Sequence, residues 1–193
     1  MPEPLSQRPL TVVAVSGSVQ APSKTTVLVE EILGALGREL PVATHLIEVR
    51  EVGPQLAGVL KREDLTVALE EELRSIEEAD LLVVASPVFR ASFTGLLKHL
   101  FDLVGQYALV DKPVLLAATG GSDRHALMIE HQFRPLFGFF QSLTLPLGIY
   151  ANDSDFTDYR VTNPALRERI ELAVARALPL IRARAVREAA GVR

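Results

Sequence analysis

Residues able to do chemistry are concentrated in one short stretch: Ser16, Gly17, Ser18, Ser23, Lys24, Thr25 and Thr26, five hydroxyls and one ammonium around a glycine. Such a group binds anions, because hydroxyls donate to an oxyanion and small side chains let backbone N–H groups approach it. The two named phosphate motifs are not met. Walker A fails because Gly17 stands seven residues before Lys24 and Ser23 occupies the place of the second glycine; Gly-x-Gly-x-x-Gly is absent. A hydroxyl-rich loop with a single lysine suits a terminal monophosphate better than a pyrophosphate or triphosphate. An ordinary strand-to-helix turn with a Ser or Thr cap has the same composition, so the rest of the chain must decide.

Two further stretches carry unusual residues. In Ser86-Pro-Val-Phe-Arg-Ala-Ser92, Pro87 stiffens a turn, Phe89 offers a ring, and Val88 and Arg90 flank it. In Thr119-Gly-Gly-Ser-Asp-Arg-His125, Gly120 and Gly121 would let backbone amides come close to a planar ring. The plain alternatives are helix starts capped by Ser92 or Thr94 and by Ser122. Cysteine is absent, which excludes thiolate catalysis, disulfides and cysteine-ligated metal. No general acid, base, nucleophile or metal ligand set is nominated.

Elements that would position these stretches alternate along the chain. Leu10 to Val15 is a near-continuous apolar run, the pattern of a strand buried on both faces, and Lys24 to Glu39 has helical periodicity. Val42 to Val49 alternates as a second strand, with His45 toward a polar face, and a Gly-Pro loop follows. A helix is expected over 64–78, strands over 79–86 and 114–119, and a helix over 94–104. A long helix over 123–143, a strand over 145–151 and a last helix over 164–188 complete the pattern. Glu130-His131-Gln132 interrupt the apolar run of the long helix just before Pro135, so that helix should be locally irregular.

Strands alternating with helices predict an α/β fold: a flavodoxin-like three-layer sandwich with a five-stranded parallel sheet in the order 2-1-3-4-5 and helices on both faces. Ligands of such sheets lie beyond the strand C-termini near strands 1 and 3, where all three stretches fall. Residues 1–9, with three prolines, read as a loose arm, and 10–190 as a single domain whose 48% hydrophobic content fills one substantial core. No apolar stretch is long enough to span a bilayer and no signal-peptide core is visible, so a soluble, cytoplasmic protein without a membrane role is expected. A net charge of −4 argues against a nucleic-acid partner.

Taken together, the three stretches resemble those of the NAD(P)H-dependent FMN reductases. Ser16-Gly-Ser18 with Ser23-Lys-Thr-Thr26 is similar to that family's phosphate loop, Ser86-Pro-Val-Phe-Arg-Ala-Ser92 to its Pro-x-Tyr-x-x-Ser segment, and Thr119-Gly-Gly-Ser122 to its isoalloxazine loop. The resemblance implies that Ser16, Ser18, Ser23, Lys24, Thr25 and Thr26 hold the phosphate of FMN. Pro87, Val88, Phe89 and Arg90 would flank its ring and ribityl chain, and Thr119, Gly120, Gly121 and Ser122 would meet the ring's polar edge. Two departures stand out: Gln20 where many members have Arg, and Phe89 where Tyr is common.

Ala118 to Phe137 is most similar to the reductase components of two-component sulfonate or other organosulfur monooxygenase systems. That likeness implies NADPH or NADH as hydride donor, a flavin-dependent monooxygenase as partner, and a homodimer or homotetramer. It also places an inserted residue, His131, in a π-bulge near the flavin. Ala126, Leu127, Ile129, Phe133, Leu136, Phe137, Phe139 and Phe140 spread around more of this helix than one core-facing stripe needs, which suits a subunit contact. Other readings are a quinone, azo-dye or chromate reductase on the same cofactor, a flavodoxin-like electron carrier, and a protein-interaction module using the Arg-rich helix 167–187. The absence of Trp and the modest charge speak against the carrier.

Overall fold

The computed structural model describes residues 8–189. β1 (Leu10–Ser16), β3 (Leu81–Pro87) and β4 (Pro113–Gly120) are apolar runs buried along almost their whole length, and they form the centre of the sheet. Such strands have no face to give to water and must be covered on both sides. β1 shows how: Val12 and Ala14 point into one core with Leu28, Ile32, Ile170 and Val174, while Val13 and Val15 point into the other with Leu69, Leu73, Leu97 and Phe137. The alternation is the pleat of the strand. α1 (Lys24–Glu39) and α6 (Pro164–Ala189) cover the first face; α3 (Val67–Glu78), α4 (Gly95–Asp102) and α5 (Arg134–Phe139) cover the second.

The strand order is β2-β1-β3-β4-β5, with β2 (Val42–Glu48) at one edge and every pairing in this sheet parallel, as the pattern predicts. This is the flavodoxin-like α/β fold. The last strand differs from expectation. Instead of one strand over 145–151, β5 (Leu143–Thr144) and β6 (Ile149–Asn152) both run beside β4, separated by Leu145-Pro146-Leu147-Gly148. Pro146 cannot donate to a ladder. Arg134 instead donates to Leu145 O at 3.1 Å and Pro146 O at 2.9 Å, and Arg169 donates to Gly148 O at 2.9 Å.

Three other stretches depart from the sequence pattern. The Gly-Pro loop after β2 is a helix, α2 (Val49–Leu56), because Val49, Val52, Gly53 and Leu56 bury one face and outweigh Pro54. The helix expected from 64 begins at Val67, where Thr66 accepts from Leu69 N–H at 3.2 Å. The long helix over 123–143 is broken into a 3-10 turn (Asp123–His125), a π-helical turn (Ile129–Phe133) and α5. The expected irregularity therefore falls on His131, which is solvent-exposed. A small hairpin, β7 (Phe156–Thr157) with β8 (Arg160–Val161), precedes α6.

Most of the arm expected over 1–9 lies outside the described residues. Arg8, at its end, makes a bidentate pair with Asp80 at 2.8 Å, and Thr11 N–H donates to the same carboxylate at 2.7 Å. Burial pushes the Asp80 carboxyl up, but the hydrogen bonds from Arg8 and Thr11 overcome it and leave the group below its ordinary value of 3.8. A depressed carboxyl stabilises the fold above its unfolded value, and that contribution is lost as pH falls below about 4 through the lowered folded value. Asp80→Asn is accordingly expected to cost about 1–2 kcal/mol at pH 7. Melting curves should show the gap to the unsubstituted protein closing toward pH 3; a gap constant with pH would contradict this role.

Candidate functional site

Parallel register brings the singled-out stretches to one edge of the sheet. Ser16 lies beside Ala85, Pro87 beside Thr119, and Gly120 beside Asn152, so the loops after β1, β3, β4 and β6 converge. Hydrogen bonds fix their spacing. Thr94 caps α4 and donates to Gly17 O at 2.7 Å, Ser86 Oγ accepts from Thr94 N–H at 3.1 Å, and Val88 N–H donates to Thr119 O at 2.8 Å. Gly17 is required here, since an added Cβ would lie 3.0 Å from Leu97 and 3.1 Å from Ala85 O.

Most hydroxyls of the first loop are already engaged. Ser23 caps α1, accepting from Thr26 N–H at 3.2 Å. Thr25 is buried and bonds Thr119 Oγ1 at 2.7 Å, tying α1 to β4. Ser16 is also buried and bonds Thr26 Oγ1 at 2.9 Å, and Thr26 donates onward to Glu48 at 3.0 Å. Arg50 hydrogen-bonds this carboxylate and holds it below the usual range, against a smaller upward push from burial. The side chains of Ser16, Ser23, Thr25 and Thr26, all expected to grip a phosphate, also hydrogen-bond within the protein and so shape the loop. Ser18 Oγ bonds within its own loop, donating to Gln20 O at 3.2 Å and accepting from Gln20 N–H at 3.3 Å, and the first N–H groups of α1 have no intrahelical acceptor, so this end of the helix suits an anion.

Lys24 is itself paired. Its ammonium sits 2.9 Å from Asp153 Oδ1, on the turn after β6, and 5.8 Å over the ring of Phe156. Phe89 and Ser92 exchange backbone hydrogen bonds of 2.8 and 3.0 Å around Arg90 and Ala91, whose φ angles are +50° and +67°. Left-handed backbone at two non-glycine residues costs about 1–2 kcal/mol each and persists only where the surroundings impose it. Phe89 and Arg90 are exposed at the rim, and Pro87 and Val88 are half-buried beneath them. The π-helical turn holds this tip: Gln132 Oε1 accepts from Ser92 Oγ at 3.1 Å, and the rings of Phe93 and Phe133 stack at 5.3 Å.

At the third loop, a Cβ on Gly120 would fall 2.5 Å from Tyr150 Oη, so any other residue would force the tyrosine or the loop to shift. Tyr150 donates to Ser122 O at 2.5 Å, and Ser122 Oγ accepts from Arg124 N–H at 3.3 Å. Burial pushes the Tyr150 hydroxyl up, and nearby Asp123, Asp153 and Asp155 add to the push, so it stays a donor.

This geometry, a helix start beside a glycine cradle and an exposed ring, suits a flavin mononucleotide. The sequence pattern of the NADPH-dependent FMN reductases matches residues 10–157. The chain belongs to that family. It is 55% identical over 173 residues to the NADH-dependent FMN reductase SfnF of Pseudomonas fluorescens, covering 90% of this chain and 92% of that one. It is 52% identical to an FMN reductase (NADPH) of Pseudomonas aeruginosa, covering 89% and 92%. Among solved structures, an oxidoreductase from Corynebacterium diphtheriae superposes with a TM-score of 0.79 at 32% identity over 90% of this chain and 97% of its own. The apo form of the NADH:FMN oxidoreductase EMOB gives 0.77 at 29% identity, covering 86% and 87%.

In this FMN reductase family member, sequence reasoning missed Asp153, Tyr150, Gln132 and Glu48. Asp153 and Tyr150 were reachable: the rule that drew attention to the ends of strands 1, 3 and 4 applies equally to Tyr150-Ala-Asn-Asp-Ser-Asp155 at the end of the last strand. Glu48 carries no local signal, and the polar Glu130-His131-Gln132 interruption marks an irregular turn without saying that Gln132 meets Ser92, because only the tertiary fold sets these residues beside Thr26 and Ser92.

Proposed function

We propose that this chain is an NAD(P)H:FMN oxidoreductase of one domain over residues 10–190, working in the cytoplasm and supplying reduced flavin to a partner monooxygenase. The observation that carries the reading is the convergence of the three motif loops on one sheet edge, with a glycine cradle at Gly120 and the start of α1 beside it. Bound there, FMN supplies the acceptor for a hydride from NADH or NADPH. Ser18, Lys24 and the first-turn amides of α1 hold its phosphate, with Ser16, Ser23, Thr25 and Thr26 keeping the loop in shape. Pro87, Val88, Phe89 and Arg90 line the ring and ribityl chain, and the backbone of Thr119, Gly120, Gly121 and Ser122 meets the polar edge. The protein's task is positioning and electrostatics, since the cofactors carry the chemistry. The similarity of 118–137 to organosulfur-system reductases supports the oxygenase partner. No helix among the described residues is long and apolar enough to cross a membrane.

Steady-state rates with FMN and a benzoquinone varied separately test the reading. NAD(P)H oxidation should depend on added FMN; a quinone rate far above the FMN rate at comparable concentration would make it a quinone reductase. Assembly as a homodimer or homotetramer belongs to the same proposal. Ile129, Phe133, Phe137 and Phe140 are spent on the core, but Leu127 and Phe139 are each 61% exposed. Phe139 and the exposed Leu143, Val110 and Tyr107 lie on segments joined by Asp111 N–H to Gln141 O and Leu143 N–H to Lys112 O, a patch that a second copy would cover.

A further inference from the structure

We propose that Asp153 acts as an internal counter-ion that competes with the flavin phosphate for Lys24, and so sets how loosely FMN is held. The inference rests on the assignment of the phosphate to the first loop. Lys24 is the first residue of α1, where the helix dipole repels a cation, and the first turn of α1 contains no acidic residue to offset it. The missing anion arrives from the far side of the site: Asp153 places Oδ1 2.9 Å from the ammonium, and its backbone carbonyl accepts from it at 3.3 Å.

The turn that presents Asp153 is tied together around Asn152. Asn152 N–H donates to Asp155 at 2.7 Å, Ser154 N–H donates to Asn152 Oδ1 at 3.2 Å, and Asn152 Nδ2 donates to Asp123 at 2.8 Å. The pair lies at the surface, with side-chain exposure of 31% for Lys24 and 60% for Asp153, so it can part without disturbing the turn. Asp153 also borders the loop that takes the ring, since a Cβ on Gly121 would lie 3.5 Å from Oδ2. A dianionic phosphate entering the first loop must draw Lys24 from Asp153 and tolerate a carboxylate nearby. Riboflavin, lacking the phosphate, meets neither demand.

Flavin titrations by fluorescence quenching decide the matter, using the intact protein and the variants D153N, D153E, K24Q and K24Q/D153N. D153N should tighten FMN binding by about fivefold, the range of one exposed ion pair, and leave riboflavin affinity unchanged. D153E, which keeps the charge, should behave as the parent, and the gain from D153N should largely vanish in the K24Q background. An equal shift for FMN and riboflavin, an unchanged FMN affinity, or a full gain that survives in K24Q would overturn the proposal while FMN still binds. Absence of FMN binding to the unsubstituted protein is a separate result and would overturn the functional reading beneath it as well.

Discussion

Gly120→Ala is expected to lower kcat/KM for FMN by about thirtyfold, equivalent to about 2 kcal/mol of lost stabilisation, while leaving the protein folded. The reason is one contact. The new methyl would sit 2.5 Å from Tyr150 Oη and 3.4 Å from Cζ, and Tyr150 cannot swing away without giving up its 2.5 Å hydrogen bond to Ser122 O. Either the tyrosine or the backbone of 120–122 must shift by a sizeable fraction of an ångström, and that backbone is what would meet the ring's polar edge. Misplacement on this scale is costly where geometry is the catalyst. Repeating the substitution in a Tyr150→Phe background isolates the cause, because the closest remaining atom is then at an ordinary distance. There the loss should shrink to about threefold or less. An equal loss in both backgrounds would show that the Oη contact is not responsible.

Lys112→Met should destabilise the fold by about 3 kcal/mol and lower the Tm by roughly 6–12 °C in a chain of this size, with kcat/KM at 25 °C unchanged. Lys112 is 3% exposed, and its ammonium donates to Glu77 O at 2.9 Å and to Ala79 O. These carbonyls belong to the C-terminal end of α3, where intrahelical donors run out and the dipole favours a cation. Methionine keeps the aliphatic stem and removes the donors, leaving buried acceptors unpaired. Because Lys112 immediately precedes β4, it sits at the opposite edge of the sheet from the candidate site. A Tm change under about 2 °C, or a loss of activity without a loss of stability, would contradict this assignment.

The central strands were legible because their apolar runs have no alternative to burial, and α1 because Ser23 caps it where the hydrophobic period begins. Alternation implied the parallel sheet, and its strand count matched the flavodoxin-like order 2-1-3-4-5 that the structure shows. What stayed hidden depends on partners distant in sequence. α2 forms because it buries one face, with Gly53 packed so closely that an added Cβ would lie 3.0 Å from Leu96 of α4, whereas locally Gly-Pro reads as a loop. In the site, sequence identified the loops but not the division of labour within them. Nothing in Ser16-Gly-Ser-Val-Gln-Ala-Pro-Ser-Lys-Thr-Thr26 says that Thr25 bonds Thr119 or that Lys24 faces an aspartate more than a hundred residues away.

The divided last strand bears on how the protein behaves when crowded. A long, flat strand at the rim of a sheet is a template on which a foreign strand can add, the first step toward aggregation. Here β5 and β6 each offer only a short ladder, Pro146 withdraws a donor between them, and Arg134 and Arg169 occupy the carbonyls of Leu145, Pro146 and Gly148. An incoming strand would find its register broken after two residues and would meet two guanidinium groups where it needs acceptors. One uninterrupted ladder from Leu143 to Asn152 would complete the sheet equally well, but it would add a second long rim to the one that β2 already presents.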